Sequence, residues 1–256
     1  MKIDHIYVVS IDYSDSNISD TLNRINNIGL PNISTYTFRG VNGYAISNSE
    51  LTQNNLRTYP KWNLSNDSND NLVSDSDNKF WQRDMTSGEV GCVLSHIGIW
   101  EDAYANGYEN ILIYEDDVVS GNIPFDWDVL NKLEVLDYDL FYLGRFPQTG
   151  FKGVVDTPLD DYDQLCVPGY SYHTHAYMLS KSGISKLVEN YIPILKQNLV
   201  PADEFLPSIC NWTPREDLND LFPGTINAFG LTDWQSGILQ IRNEEIGNSL
   251  TQPNND

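Results

Sequence analysis

Positive charge is what this sequence has least of. Against 36 acidic residues stand 15 lysines and arginines, a formal net charge of -21. A surface of that sign repels nucleic acid and anionic lipid, which bind proteins by giving up counterions to a basic patch. Neither is expected as a partner. Cysteine is scarce too: Cys92, Cys166 and Cys210 are odd in number and widely separated, which fits neither a disulfide framework nor a zinc knuckle. No apolar run approaches the roughly 20 residues of a membrane span. The opening "MKIDHIYVVSID" has one basic residue, and Asp4 and Asp12 interrupt its apolar run, so it does not read as a signal peptide. A cytoplasmic, reducing location is the expectation. What remains is 40% hydrophobic and 12% aromatic over 256 residues, enough for a substantial core in one large domain.

The chain opens as an α/β sheet should. Ile6 to Ile11 reads as a first strand, and "SDSNISDTLNRINNIG" as a helix with Leu22, Ile25 and Ile28 at helical spacing and Gly29 as its stop. "STYTFRGVNGY" follows as a strand ending in an Asn-Gly turn. Residues 63–79 are almost entirely polar and of low complexity and are expected to form a flexible acidic surface insertion. Order returns at "TSGEVGCVLSHIGIWEDAYANGYENILIYEDDV". Thr86 and Glu89 have capping-box spacing, an apolar stripe runs from Val90 to Tyr104, Gly107 ends the helix, and Ile111 to Tyr114 form the next strand. "YDLFYLGR" and "YSYHTHAYMLS" read as further strands, "SKSGISKLVENYI" as a helix, "VPADEFLP" as a short acidic element between prolines, and 243–256 as a disordered tail. One domain over 1–242 is the simplest organisation.

The chemistry concentrates at "ILIYEDDV". Glu115, Asp116 and Asp117 stand where a buried strand ends, the edge of an open α/β sheet at which ligands bind. Alternation along the strand puts Glu115 and Asp117 on one face and Asp116 on the other, although the chain can turn at Asp116. Two carboxylates so placed suit Mg²⁺ or Mn²⁺, and such a cation would let an acidic surface accept a diphosphate. The competing reading is chance clustering in a very acidic chain. Arg145 is one of few basic residues near this site and reads either as a phosphate contact or as half of an ion pair. His173 and His175, two apart on a strand, read as metal ligands, acceptor contacts or packing.

The stretch from Gly88 to Asp117, with Gly88, Glu89, Gly91, Cys92, Ser95, His96 and Trp100 followed by the acidic triplet, resembles the signature of glycosyltransferase family 25. That family includes bacterial lipooligosaccharide galactosyltransferases and procollagen galactosyltransferases. The resemblance extends over roughly residues 3–232. "IYVVSID" is similar to the family's nucleotide-binding strand and "RGVNG" to its second turn, while "DLFYLGR" and "PADEFLP" are closest to the C-terminal domain of the procollagen branch.

This resemblance implies an α/β fold of the GT-A type, a single Rossmann-like nucleotide-sugar-binding domain with a mixed central sheet. It implies a UDP-sugar donor, UDP-galactose by the family's example, and Mn²⁺ or Mg²⁺ held by Asp117 and Glu115. Ser10, Asp12, Asn42, Gly88, Glu89, Ser95, His96, Glu115, Asp116 and Arg145 become candidate donor-binding residues. Asp203 and Glu204 become candidate bases for an inverting transfer to a glycan or collagen-like hydroxyl. After "NAFGLTDWQSG" there is no histidine to serve as a late metal ligand, and Asp233 is a weak substitute. A catalytically silent homologue that binds a glycan or a protein is the alternative. A metal-dependent phosphohydrolase would need a nucleophile motif that the sequence does not contain.

Overall fold

The computed structural model describes residues 1–29, 35–65, 79–120, 127–148, 155–210, 212–233 and 237–241. Most of the expected 63–79 insertion and all of the expected tail lie outside them.

Strands His5–Ser10 (β1), Thr35–Arg39 (β2), Asn110–Glu115 (β3), Leu140–Pro147 (β5), Thr157–Leu159 (β6), Tyr162–Val167 (β7), Ser171–Ser180 (β8) and Ala228–Leu231 (β9) form one sheet. Its order is β2-β1-β3-β8-β5-β9-β7-β6. Val118–Ser120 (β4) and Ile238–Gln240 (β10) pair separately as a short antiparallel ribbon. β1 runs parallel to β2 and to β3, β8 runs antiparallel to both β3 and β5, and β9 is again parallel to β5. The arrangement is a mixed α/β sheet of the Rossmann-like kind.

Eight helices accompany it among the described residues: Asp15–Asn27 (α1), Asn48–Gln53 (α2), Ser87–Asn106 (α3), Val129–Leu133 (α4), Lys181–Lys186 (α5), Ile192–Gln197 (α6), Ala202–Ile209 (α7) and Glu216–Leu221 (α8). The helix expected at "SKSGISKLVENYI" is α5 continued through a π-helical turn, Leu187–Tyr191, into α6. The acidic element between prolines is helical too. Pro201 precedes α7, where its missing N–H costs nothing, and Pro207 lies inside the helix.

Strand alternation sorts the core into two layers. Tyr7, Val9, Ile111, Ile113, Tyr177 and Leu179 face α3, α5, α6 and α7, where Val93, Ile97, Trp100, Ile184, Leu195 and Phe205 meet them. Ile6, Val8, Leu112, Tyr114 and Met178 face the other way, onto Ile25 of α1 and Val129, Leu130 and Leu133 of α4. α3 is the central pillar of the first layer. Its start is fixed by a reciprocal cap, Glu89 N–H to Thr86 Oγ1 at 3.2 Å and Thr86 N–H to Glu89 Oε2 at 2.7 Å. Caps of this kind are worth about 1 kcal/mol. Gly107 ends the helix with φ of 68°, the left-handed conformation that glycine adopts without strain.

Two departures from regularity shape the site. The turn after β2 lies backbone to backbone on the first turn of α3. A Cβ on Gly43 would sit 1.7 Å from the Ser87 carbonyl oxygen, and one on Gly91 would sit 2.4 Å from that of Val41. The sequence "NGY" there is not a hairpin turn: Asn42 caps a single 3-10 turn, Gly43–Ala45, through its side-chain oxygen and the Tyr44 N–H. In β8, Tyr172 and Ala176 are four positions apart while their partners Phe146 and Gly144 in β5 are only two apart. The surplus bulges the strand, and His173 takes a φ of 77° within the bulge.

Candidate active site

Because β1 and β3 are parallel, Ser10 and Glu115 both come to the carboxyl edge of the sheet. The chain turns immediately after Glu115, so the three carboxylates fan in three directions. Glu115 points to the α3 face and Asp116 to the α1 face, as alternation requires. Asp117 does not rejoin Glu115 on a strand face as the alternation predicts. It turns toward β10, accepting from the Gln240 side-chain amide at 2.7 Å and, through its carbonyl, from the Ile241 N–H at 2.8 Å.

Glu115 is held by a relay that starts in the core. The Trp100 indole N–H, which can only donate, gives its proton to the Tyr177 hydroxyl at 3.0 Å. That hydroxyl lies 2.7 Å from His96 Nδ1, and His96 Nε2 lies 3.2 Å from Glu115 Oε1. With Tyr177 donating onward, the tautomer that completes the chain carries its proton on Nε2 and donates it to Glu115. Thr174 Oγ1, from the bulge in β8, donates to the same oxygen at 2.7 Å. Burial alone would raise the Glu115 carboxyl. The His96 hydrogen bond and charge, Thr174 and nearby His175 outweigh it and bring it down to about 2. Both bonds go to Oε1, which leaves Oε2 for a ligand.

Asp116 belongs to a polar knot at the β1–α1 junction. Ser10 Oγ and, more weakly, the Asn17 amide donate to its Oδ2, Asn17 also donates to the Asp12 carbonyl, and Arg24 donates to the Asp116 carbonyl at 2.6 Å. Burial nevertheless pushes the Asp116 carboxyl up, with the Glu115 charge adding to it. Asp117 is pushed further: it is desolvated and faces the charges of both neighbours. Its Oδ1 is buried and has no hydrogen-bond partner.

Asp203, at the start of α7, comes to the same place. Burial raises its carboxyl to about 7, and the charges of Glu89 and Glu115 add to the rise. Glu204, the next residue, points elsewhere. It is buried, accepts from the Trp81 indole at 2.9 Å and the Tyr170 hydroxyl at 2.7 Å, and leaves Oε2 without a partner. Burial and the neighbouring Asp203 raise its carboxyl to about 8, so it is a neutral acid in the core at pH 7.

This set fits a hard divalent cation. Asp117 Oδ1 and Glu115 Oε2 are oxygen donors without a competing hydrogen bond, and crowded carboxylates that raise one another are relieved by a positive charge.

Comparisons with known proteins give the family. The model of "Glycosyltransferase family 25 (LPS biosynthesis protein)" matches residues 3–206. The chain belongs to glycosyltransferase family 25. A "Glycosyltransferase 25 family member" of Aedes aegypti is 30% identical over 226 residues, 84% of this chain and 32% of that protein. The human "Inactive glycosyltransferase 25 family member 3" is 37% identical over 157 residues, 57% of this chain and 24% of that protein. A Drosophila melanogaster member is 28% identical over 231 residues, covering 87% of this chain and 33% of its own. The chain thus spans a quarter to a third of the length of these relatives. No helix among the described residues is long and apolar enough to cross a membrane.

Within this family 25 chain the remaining candidate residues divide by what already occupies them. Ser10, Asp12 and Asp116 share the knot at β1. Ser95 is a brace: its hydroxyl donates to the Gly91 carbonyl at 2.7 Å and accepts from the Val41 N–H at 2.8 Å, tying the Asn42 turn to α3. Gly88 is buried in the first turn of α3. Glu89 caps that helix and also takes a bidentate pair from Arg83, at 2.8 and 2.7 Å. Arg145 is not brought to the acid cluster. Its guanidinium is buried and bidentate to Asp156 at 2.9 and 2.6 Å, with further bonds to Ser171 and the Leu231 carbonyl. The ion-pair reading is the observed one, but in the interior. His175 is also committed: its Nε2 lies 2.9 Å from the Ile238 carbonyl, in the space that the absent Cβ of Gly144 leaves. Asp233 is exposed on the turn after β9.

Sequence reasoning gave no site role to Arg83, Cys92, Thr174 or Tyr177. Arg83 and Cys92 carried a signal, being a lone cation before the capping box and a residue four before His96 on one helix face. Thr174 and Tyr177 carried none, because the bulge alone puts these two residues, three apart on a strand, against one face.

Proposed function

We propose that the chain is a metal-dependent, inverting glycosyltransferase that moves a hexose, galactose in the first instance, from a UDP-sugar to the hydroxyl of a glycan or a collagen-like acceptor. The observation that carries the reading is the unpaired Asp117 carboxylate oxygen beside Glu115 and Asp116, with Asp203, raised to about 7, close enough to feel the Glu115 charge. Asp117 and Glu115 are the residues that would hold Mn²⁺ or Mg²⁺. Such a cation neutralises the charge that builds on the departing diphosphate.

The chain's own groups supply the rest. The relay from Trp100 through Tyr177 and His96 keeps Glu115 ionised and fixed in orientation, so its free oxygen faces the donor. Ser10 and Asn17 hold Asp116 at the end of the nucleotide-side strand. Asp203, desolvated and near neutral affinity for its proton, takes the proton of the acceptor hydroxyl as that oxygen attacks the anomeric carbon. The bond from the anomeric carbon to the diphosphate breaks, and its electrons leave with UDP. Glu204 has no part in that transfer; the two hydrogen bonds it accepts hold the helix that presents Asp203.

The second reading, a silent homologue acting as a binding module, has the relative named "inactive" in its favour. One assay separates the two: UDP release from a panel of UDP-sugars with Mn²⁺, wild type beside Asp117→Ala. Slow release from one donor, lost in the variant, supports the transferase. Absence of both release and Mn²⁺-dependent donor binding by calorimetry sinks it.

A further inference from the structure

Cys92 and His96 stand four residues apart on one face of α3, and their Sγ and ring nitrogen lie with a Glu115 carboxylate oxygen inside a span of 4.8 Å. We infer that these three side chains form a binding site for a thiophilic divalent cation such as Zn²⁺, sharing Glu115 with the all-oxygen position at Asp117 but adding sulfur and nitrogen to it.

The argument begins with geometry. Zinc bound to nitrogen and oxygen at about 2.0–2.1 Å in a tetrahedron holds those two atoms about 3.3 Å apart. His96 Nε2 and Glu115 Oε1 already lie 3.2 Å apart, joined by a hydrogen bond whose proton a metal would replace. The two helical ligands come from a segment fixed at its start by the Thr86–Glu89 cap and packed through Val93, Ile97 and Trp100, so the helix need not move. His96 is held at its far nitrogen by Tyr177, and Glu115 at the same oxygen by Thr174, the kind of outer support that orients metal ligands. Sulfur, imidazole and one carboxylate form a set that prefers zinc to magnesium or manganese. Three protein ligands leave a fourth position open, toward the cleft that Glu115 borders.

On binding, the Cys92 thiol proton passes to solvent, the imidazole proton moves from Nε2 to Nδ1 beside the Tyr177 hydroxyl, and one sulfur, one nitrogen and one oxygen bond to the metal form. Because the thiol must give up its proton to bind, affinity for the metal rises with pH. The site does not depend on the transferase reading. If that reading holds, zinc draws on Glu115, which the donor-bound cation also needs, and excess zinc inhibits transfer.

The test uses cobalt, which takes zinc sites and reports its ligands by colour. Metal-free protein is titrated with Co²⁺ while near-ultraviolet and visible absorption are read. The expected result is a thiolate-to-cobalt charge-transfer band that saturates at one cobalt per chain, is displaced by Zn²⁺, survives Cys166→Ser and Cys210→Ser, and disappears in Cys92→Ser. A wild-type titration without that band overturns the inference outright, whatever the variants do. So does a band that persists in a folded Cys92→Ser protein. Neither readout involves a nucleotide sugar, so failure here leaves the proposed activity untouched.

Discussion

Two parts of the molecule treat buried charge in opposite ways. Around β5, α5 and α8 the buried charges come as pairs. Arg145 grips Asp156, Lys186 meets Asp139 at 2.5 Å, and the fully buried Arg215 takes Asp217 with two bonds of 2.8 Å. At the carboxyl edge of β1 and β3 the acids outnumber their counter-charges, Arg24 and His96. Glu115, Asp116, Asp117 and Asp203 crowd together, and all but Glu115 have carboxyls raised by burial and by one another. Arg83, close enough to Asp203 for their charges to interact, is already bidentate to Glu89. A fold that pairs its structural charges elsewhere has left one cluster with too few partners, and unpaired buried charge is destabilising unless something binds there. Substitutions in the two regions should therefore behave differently.

The largest effect is expected at Asp203. Asp203→Asn removes the base with little change in shape, so turnover should fall by about 10²–10⁴-fold, while donor affinity and melting temperature hold. Because a base acts only when ionised, wild-type turnover should also decline as pH drops through about 7, the value that burial and Glu89 give Asp203. A bound cation moves that inflection lower, never higher. A full-rate Asp203→Asn enzyme would remove the residue from the mechanism.

Arg145→Met comes next and acts on stability alone. It strands Asp156 and the Ser171 and Leu231 oxygens, at a cost of about 3 kcal/mol. Thermal denaturation reads this as a melting point lower by roughly 6–12 °C, with donor binding by the surviving fold unchanged. A selective loss of donor affinity would instead return Arg145 to the binding site.

Glu204→Gln should be the gentlest. The folded state holds the Glu204 proton up to about pH 8 against an ordinary value of 4.5, so that group favours folding most below pH 4.5 and loses this contribution as pH rises toward 8. The glutamine keeps both hydrogen bonds and cannot titrate. Between pH 5 and 8 its melting temperature should therefore fall less than the wild type's, by several degrees. Equal slopes would mean that Glu204 is ionised in the core.

Much of this was legible in the sequence because it rests on local rules. The Thr86–Glu89 cap, the left-handed Gly107, the buried strand before the acidic triplet and the direction of Glu115 against Asp116 all follow from spacing and alternation. So does the α/β class. The direction of Asp117 was not legible, because β4 and β10 pair only after the chain has turned. Arg145 was ambiguous for the same reason: its partner Asp156 lies on a different element, and no local pattern links them. Asp203 and Glu204 looked alike in sequence. Two adjacent positions on a helix point about 100° apart, and here that difference separates a carboxylate in the cleft from a neutral acid in the core.

The most direct test of the contrast is a pair of readings on Asp117→Asn, melting temperature and Mn²⁺-dependent UDP binding, each beside the wild type. A functional cluster predicts that donor binding is lost while the melting temperature stays the same or rises, since a repelled, desolvated charge has been removed. A lower melting temperature with donor binding intact would make Asp117 a structural residue and contradict the account.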